Sequence, residues 1–153
     1  MPRRAKKIPD SEQFRKILKD KGIKVTPQRV AVHEAMLALG HAGADEVLDY
    51  IQDRLGEVCI SQASVYNVLS KMADLGIYNR VCSSDNKLFF DVNTGRHVHL
   101  FDTRNGEFKD IADDGLCALV ENYLKGKSFR GYKLDRYEVQ LICHPSRKRK
   151  KQA

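Results

Sequence analysis

The chain has 153 residues, room for one compact domain or two small ones, and no apolar run in it approaches the roughly 20 residues of a membrane-spanning helix. Its formal charge of +7 is carried by two tails: Arg3, Arg4, Lys6 and Lys7 at one end and Arg147, Lys148, Arg149, Lys150 and Lys151 at the other leave residues 8–146 at −2, so any anionic partner of the middle must be met by local arrangement. Cys59, Cys82, Cys117 and Cys143 lie 23, 35 and 26 positions apart with no C-x-x-C pair, which excludes a dense disulfide scaffold and predicts reduced thiols in a soluble, cytoplasmic protein with no membrane partner.

From Ser11, the residues Phe14, Ile17 and Leu18 recur at helical spacing, and Gly22 stands where a left-handed C-terminal residue is wanted. Thr26-Pro27 starts a second helix, because the threonine oxygen can accept a first-turn amide and proline at the first helical position loses no bonded N–H. Its expected buried side is Val30, Ala31, Ala35, Leu37, Ala38 and Leu39, with Gly40 as the stop. A third helix over about 44–55 carries Val47, Leu48, Ile51 and Leu55; a fourth from Ser61 carries Val65, Leu69 and Met72 and ends at Gly76. The period then falls toward two, predicting strands over 77–82 and 87–92 joined by Ser83-Ser84-Asp85-Asn86. Helices followed by a β-hairpin are the plan of a winged helix-turn-helix, whose last helix enters the DNA major groove.

A second unit starts near Arg96. Strands over 96–102 and 107–111 flank Asn105-Gly106, read as a two-residue type I′ loop. Leu116, Leu119, Val120 and Tyr123 form a helical stripe, and residues 137–143 alternate as a last strand. About 50 residues in β-β-α-β order leave sheet edges open and bury little, so pairing with a second copy is expected.

Metal-ligand chemistry gathers around this unit. On a strand His97 and His99 share a face. With a two-residue loop Asp110 pairs with Phe101 and lies diagonal to His99 on that face, so two imidazoles and a carboxylate converge. Asp91, ending the preceding strand, can add an oxygen, and His41, at the start of the third helix, a third nitrogen. An isolated H-x-H is usually a surface feature, and the hairpin register is what gives this one weight. Cys117 and Cys143 lack ligand spacing, and an all-N/O set suits Fe(II), Mn(II) or zinc. Two histidines and an aspartate also match the facial triad of iron oxygenases, but the chain has too few strands for a barrel and no substrate-pocket signature.

The stretches 22–29 (GIKVTPQR), His41 with Ala44-Asp45-Glu46, 60–66 (ISQASVY), Leu75-Gly76-Ile77, Phe90-Asp91 and His97-Val98-His99, spread over roughly residues 12–144, together resemble the ferric uptake regulator (Fur) family of bacterial metal-dependent transcription factors. The resemblance implies an α+β fold: an N-terminal winged helix-turn-helix DNA-binding domain over 11–93 and a small C-terminal α/β dimerisation and metal-sensing domain over 96–144. Basic tails flank them at 1–10, expected to be disordered, and 145–153. It implies a homodimeric repressor, not an enzyme, on double-stranded DNA with a palindromic operator.

Within the family the pattern is most similar to the peroxide-responsive (PerR) branch. The metal ligands that this implies are His41, Asp91, His97, His99 and Asp110, the last standing where iron-uptake regulators typically have Glu. The implied ion is Fe(II) or Mn(II), one per protomer, with Zn(II) able to take the same site, and peroxide oxidation of a ligating histidine releases DNA. An iron-responsive Fur-like or Irr-like regulator is the alternative, although the Cys-Pro element usual in Irr-type haem binding is absent. One departure is plain: most members hold a structural zinc on two C-x-x-C pairs, and here Asp102 and Asn105 occupy the first pair with only Cys143 near the second, so no structural zinc on four cysteines is expected. The resemblance makes the fourth helix the DNA reader through Ser61, Gln62, Ser64, Tyr66 and Asn67, Tyr66 matching the family's recognition-helix tyrosine. Lys24, Gln28 and Arg29 are expected at backbone phosphates.

Overall fold

The computed structural model describes residues 7–146; the basic residues 1–6 and 147–153 of the expected tails lie outside the described residues. The chain divides at Gly95 and Arg96 into two compact units. No helix among the described residues is long and apolar enough to cross a membrane.

In the first unit, the Asp10 carboxylate accepts from Gln13 N–H while the Gln13 side chain accepts from Asp10 N–H, and this reciprocal box opens α1 (Ser11–Asp20). Helix α2 (Pro27–Leu39) starts as expected, with the Thr26 hydroxyl accepting from Arg29 N–H at 3.2 Å. Its buried side agrees with the expectation at Val30, Ala31 and Ala35 and adds Val32, His33 and Met36, while Leu37, Ala38 and Leu39 are exposed. Apolar residues surround this helix, so neighbouring helices, not its own stripe, decide which side is covered. Helices α3 (Ala44–Arg54) and α4 (Gln62–Asp74) complete the bundle, and Phe14, Leu18, Met36, Val47, Ile51, Val65, Leu69 and Met72 form its centre.

The expected hairpin is β2 (Asn79–Cys82) and β3 (Leu88–Asp91). A third strand joins it: β1 (His41–Ala42) pairs antiparallel with β3, giving the order β1-β3-β2. His41 is therefore a strand residue and not the first turn of a helix, and its direct cross-strand neighbour is Asp91.

In the second unit β4 (Val98–Asp102) is the centre of a sheet ordered β5-β4-β6, with β5 (Glu107–Ile111) antiparallel to it and β6 (Gln140–Cys143) parallel. Between β5 and β6 runs α5 (Asp114–Leu124), capped by the Asp113 carboxylate on Leu116 N–H. The β4–β5 connection corrects the expected two-residue loop. Residues 103–106 form a four-residue turn in which Gly106 alone has positive φ, at 69°. The reason is Asp102, whose carboxylate accepts from the Arg104 and Asn105 amides and from the Asn105 side chain and so starts the turn two residues earlier. Val98, Phe101, Phe108 and Cys117 are buried, but Leu119 and Tyr123 of the expected helical stripe are 69% and 71% exposed, as are Leu141 and Ile142 at 39% and 61%.

Candidate metal centre

In the first unit the β1–β3 pairing sets His41 and Asp91 side by side, His41 Nε2 lying 3.3 Å from Asp91 Oδ2. Both side chains are nearly buried, at 9% and 1% exposure, and the other Asp91 oxygen accepts from Asn93 N–H at 2.8 Å. That amide fixes the carboxylate rotamer, leaving Oδ2 directed at the imidazole.

In the second unit the four-residue turn shifts the ladder by two residues relative to the two-residue expectation. Asp110 therefore sits directly opposite His99, not diagonal to it. Expected and observed registers put Asp110 on the histidine face, and the observed one brings it closer. His97 Nε2 and His99 Nε2 face each other at 2.7 Å, and Asp110 Oδ1 is 3.4 Å from the first and 3.9 Å from the second. Two ring nitrogens that close cannot both carry a proton, so at least one lone pair points into the cluster. The imidazoles are buried, at 8% and 6% exposure, while Asp110 is open at 38%. Phe108 packs edge-on against His99 at 5.5 Å between ring centroids. Imidazole nitrogen and carboxylate oxygen without thiolate fit Fe(II), Mn(II) or Zn(II).

Sequence reasoning did not single out Glu138. Its Oε1 lies 3.8 Å from His99 Nδ1, the ring nitrogen away from the cluster. The signal was the alternation in residues 137–143, but alternation does not say which strand β6 pairs with.

The residues expected to meet DNA divide into two groups. Ser61 is the N-cap of α4, accepting from Ser64 N–H and bonding the Ser64 hydroxyl at 3.0 Å; Gln28 donates to the Cys59 carbonyl at 2.9 Å, and Arg29 donates to the Lys24 carbonyl. These four side chains hold the ends of α2 and α4. Lys24, Gln62, Tyr66 and Asn67 are exposed, Tyr66 at 47% with its ring edge-on to Phe90.

The sequence profile of the ferric uptake regulator family matches residues 20–141. Over 95 residues the chain is 31% identical to the peroxide-responsive repressor PerR of Staphylococcus epidermidis, a match covering 61% of this chain and 62% of that protein, so it spans less than two thirds of that relative's length. Its structure is similar to that of the Vibrio cholerae ferric uptake regulator, at a TM-score of 0.72 and 27% identity over 86% of this chain and 99% of that one. The Campylobacter jejuni peroxide stress regulator shares the fold at a TM-score of 0.63 and 24% identity, over 87% of this chain and 96% of that one.

Proposed function

The chain belongs to the ferric uptake regulator family, and from that premise we propose that it is a metal-dependent, DNA-binding transcriptional repressor that senses peroxide through one Fe(II) or Mn(II) per protomer. The observation that carries this reading is the convergence of His97 Nε2, His99 Nε2 and Asp110 Oδ1 on one face of the β4–β5 hairpin. In the proposal His41 and Asp91 complete the ligand set from the first unit. Only five residues separate Asp91 from His97 in the chain, so the two half-sets share a short tether.

Within this reading the protein's own groups have defined tasks. Asp91 and Asp110 carry negative charge that a divalent cation neutralises, and the three imidazoles must be deprotonated at the ligating nitrogen. In the proposal these ligands would bind a cation more tightly in the DNA-binding state than in the other, so that metal raises DNA affinity through that difference. Fe(II) held by these residues would supply one electron to peroxide, breaking the O–O bond into hydroxide and a hydroxyl radical able to attack a neighbouring imidazole, chemistry that Mn(II) in the same ligands would not supply. The exposed Gln62, Tyr66 and Asn67 of α4 face the major groove, with Lys24 at the backbone; Ser61, Ser64, Gln28 and Arg29 keep that surface in shape and add phosphate contacts. Leu119, Tyr123 and Ile142 are covered by a second copy, and the resulting two-fold axis matches a palindromic operator. The protein works in the cytoplasm and carries no structural zinc on a set of four cysteines.

The test is a titration of a palindromic duplex, recovered by selection from a random pool, with Fe(II)- and Mn(II)-loaded protein before and after peroxide. Release from the Fe(II) form alone, with oxygen added to a peptide containing His41, His97 or His99, is the expected result. Metal-dependent binding indifferent to peroxide gives the iron-responsive reading instead, and binding indifferent to metal rejects both.

A further inference from the structure

We propose that Glu138 is a positioning residue for the metal site, holding the His99 ring in the tautomer that aims the Nε2 lone pair into the His97–Asp110 cluster; the proposal rests on the metal reading above. Position follows from the backbone. His99 pairs with Gln140 across the parallel β4–β6 ladder, and His99 N–H donates to the Val139 carbonyl at 3.0 Å. Glu138, two residues before Gln140, falls on the His99 side of the sheet by the period of two.

The carboxylate is behind the ring, not in the cluster. Its Oε1 is 3.8 Å from His99 Nδ1, whereas His99 Nε2 faces His97. The two ring nitrogens point in nearly opposite directions, so Glu138 is no ligand of an ion held at Nε2. A negative charge at that range favours an N–H at Nδ1 over a lone pair, and the span closes through one water or a small side-chain rotation. With the proton at Nδ1, Nε2 is bare and accepts from His97. The second Glu138 oxygen lies 4.0 Å from the Arg136 guanidinium, and Phe108 packs edge-on against the His99 ring at 5.5 Å between centroids. His99 then needs no tautomer change when a cation arrives.

The experiment measures Mn(II) affinity of full-length protein by competition with a chromophoric chelator, together with imidazole 15N shifts in metal-free protein. In the parent, His99 is expected as the Nδ1–H tautomer. Glu138→Leu is expected to weaken Mn(II) by about 10- to 100-fold and give a mixture of tautomers. Glu138→Gln, which keeps the shape and an acceptor but not the charge, falls between, and Arg136→Ala changes affinity less than either. Parent affinity and parent tautomer in Glu138→Gln and Glu138→Leu overturn the proposal; if Glu138→Leu does not fold, Glu138→Gln decides alone. A parent protein that binds no Mn(II) overturns the metal reading, and this proposal with it, and is told apart by the reference titration.

Discussion

Asp102 occupies the place where, by family resemblance, a zinc-binding cysteine would stand, and it closes the β4–β5 turn by hydrogen bonds instead. Its carboxylate accepts from three N–H groups of Arg104 and Asn105, and next to it Thr103 donates both its amide and its hydroxyl to the Cys143 carbonyl. Burial alone would raise the Asp102 carboxyl, but those amides and the charge of Lys109 outweigh it and hold it below the ordinary carboxylate value. A carboxylate depressed in the folded state stabilises fully above its unfolded pKa of about 3.9, and the stabilisation is lost as pH falls through the folded value. Asp102→Asn is therefore expected to lower Tm at neutral pH and flatten its decline below pH 4, read by thermal denaturation across pH. His33 acts in the same sense in the other unit. Burial lowers its pKa against the weaker raising effects of the Pro9 carbonyl and Asp10. Its Nε2–H donates to Pro9 O at 2.8 Å, so Nδ1 accepts from the Tyr78 hydroxyl at 2.7 Å, and the ring stacks on Phe14. Only the unfolded chain takes up that proton just below pH 6.5. Stability then falls as pH drops through that window, and His33→Gln removes that part of the slope. At this scale the shared face of His97 and His99 was readable, because H-x-H on a strand fixes a face whatever the loop. The sequence hid Glu138, whose partner depends on a parallel pairing that returns only after α5.

At the scale of elements, helix ends were legible because caps are local chemistry: Thr26, Ser61 and Gly40 stand where the structure uses them. Removing the Thr26 hydroxyl with Thr26→Ala is expected to cost about 1 kcal/mol of stability, measured by urea denaturation. Which side of α2 is buried was legible only in part, since α1, α3 and α4 settle the rest, and β1, two residues long and defined only by its partner, was not legible at all. The division of the residues proposed to meet DNA leads to a contrast. Ser61→Ala and Gln28→Ala are expected to lower Tm, whereas Gln62→Ala and Asn67→Ala leave Tm in place and alter duplex preference in a selection assay. If Ser61→Ala changed preference without touching stability, the cap would not be its main role.

For the whole molecule, charge and metal content make separate predictions. The tails hold nine positive charges while residues 8–146 carry −2. Trimming residues 1–7 and 147–153 is expected to weaken DNA binding and flatten its dependence on log salt, leaving metal affinity unchanged. Native mass spectrometry is expected to find one metal ion per protomer, and a second tightly held zinc would contradict the loss of the cysteine pairs. The two-unit plan could be read from the change of period near residue 77 and the return of strands after Arg96.

Among the described residues of the second unit four apolar side chains are buried, Val98, Phe101, Phe108 and Cys117, while Leu119, Tyr123, Leu141 and Ile142 stand in solvent. If a second copy covers that surface, folding of this unit is a second-order event, and Tm rises with protein concentration. Operator occupancy then grows with the square of the amount of chain at low expression, which sets a threshold. A cell could silence the regulator simply by halving its supply a few times, with iron, manganese and peroxide all held constant.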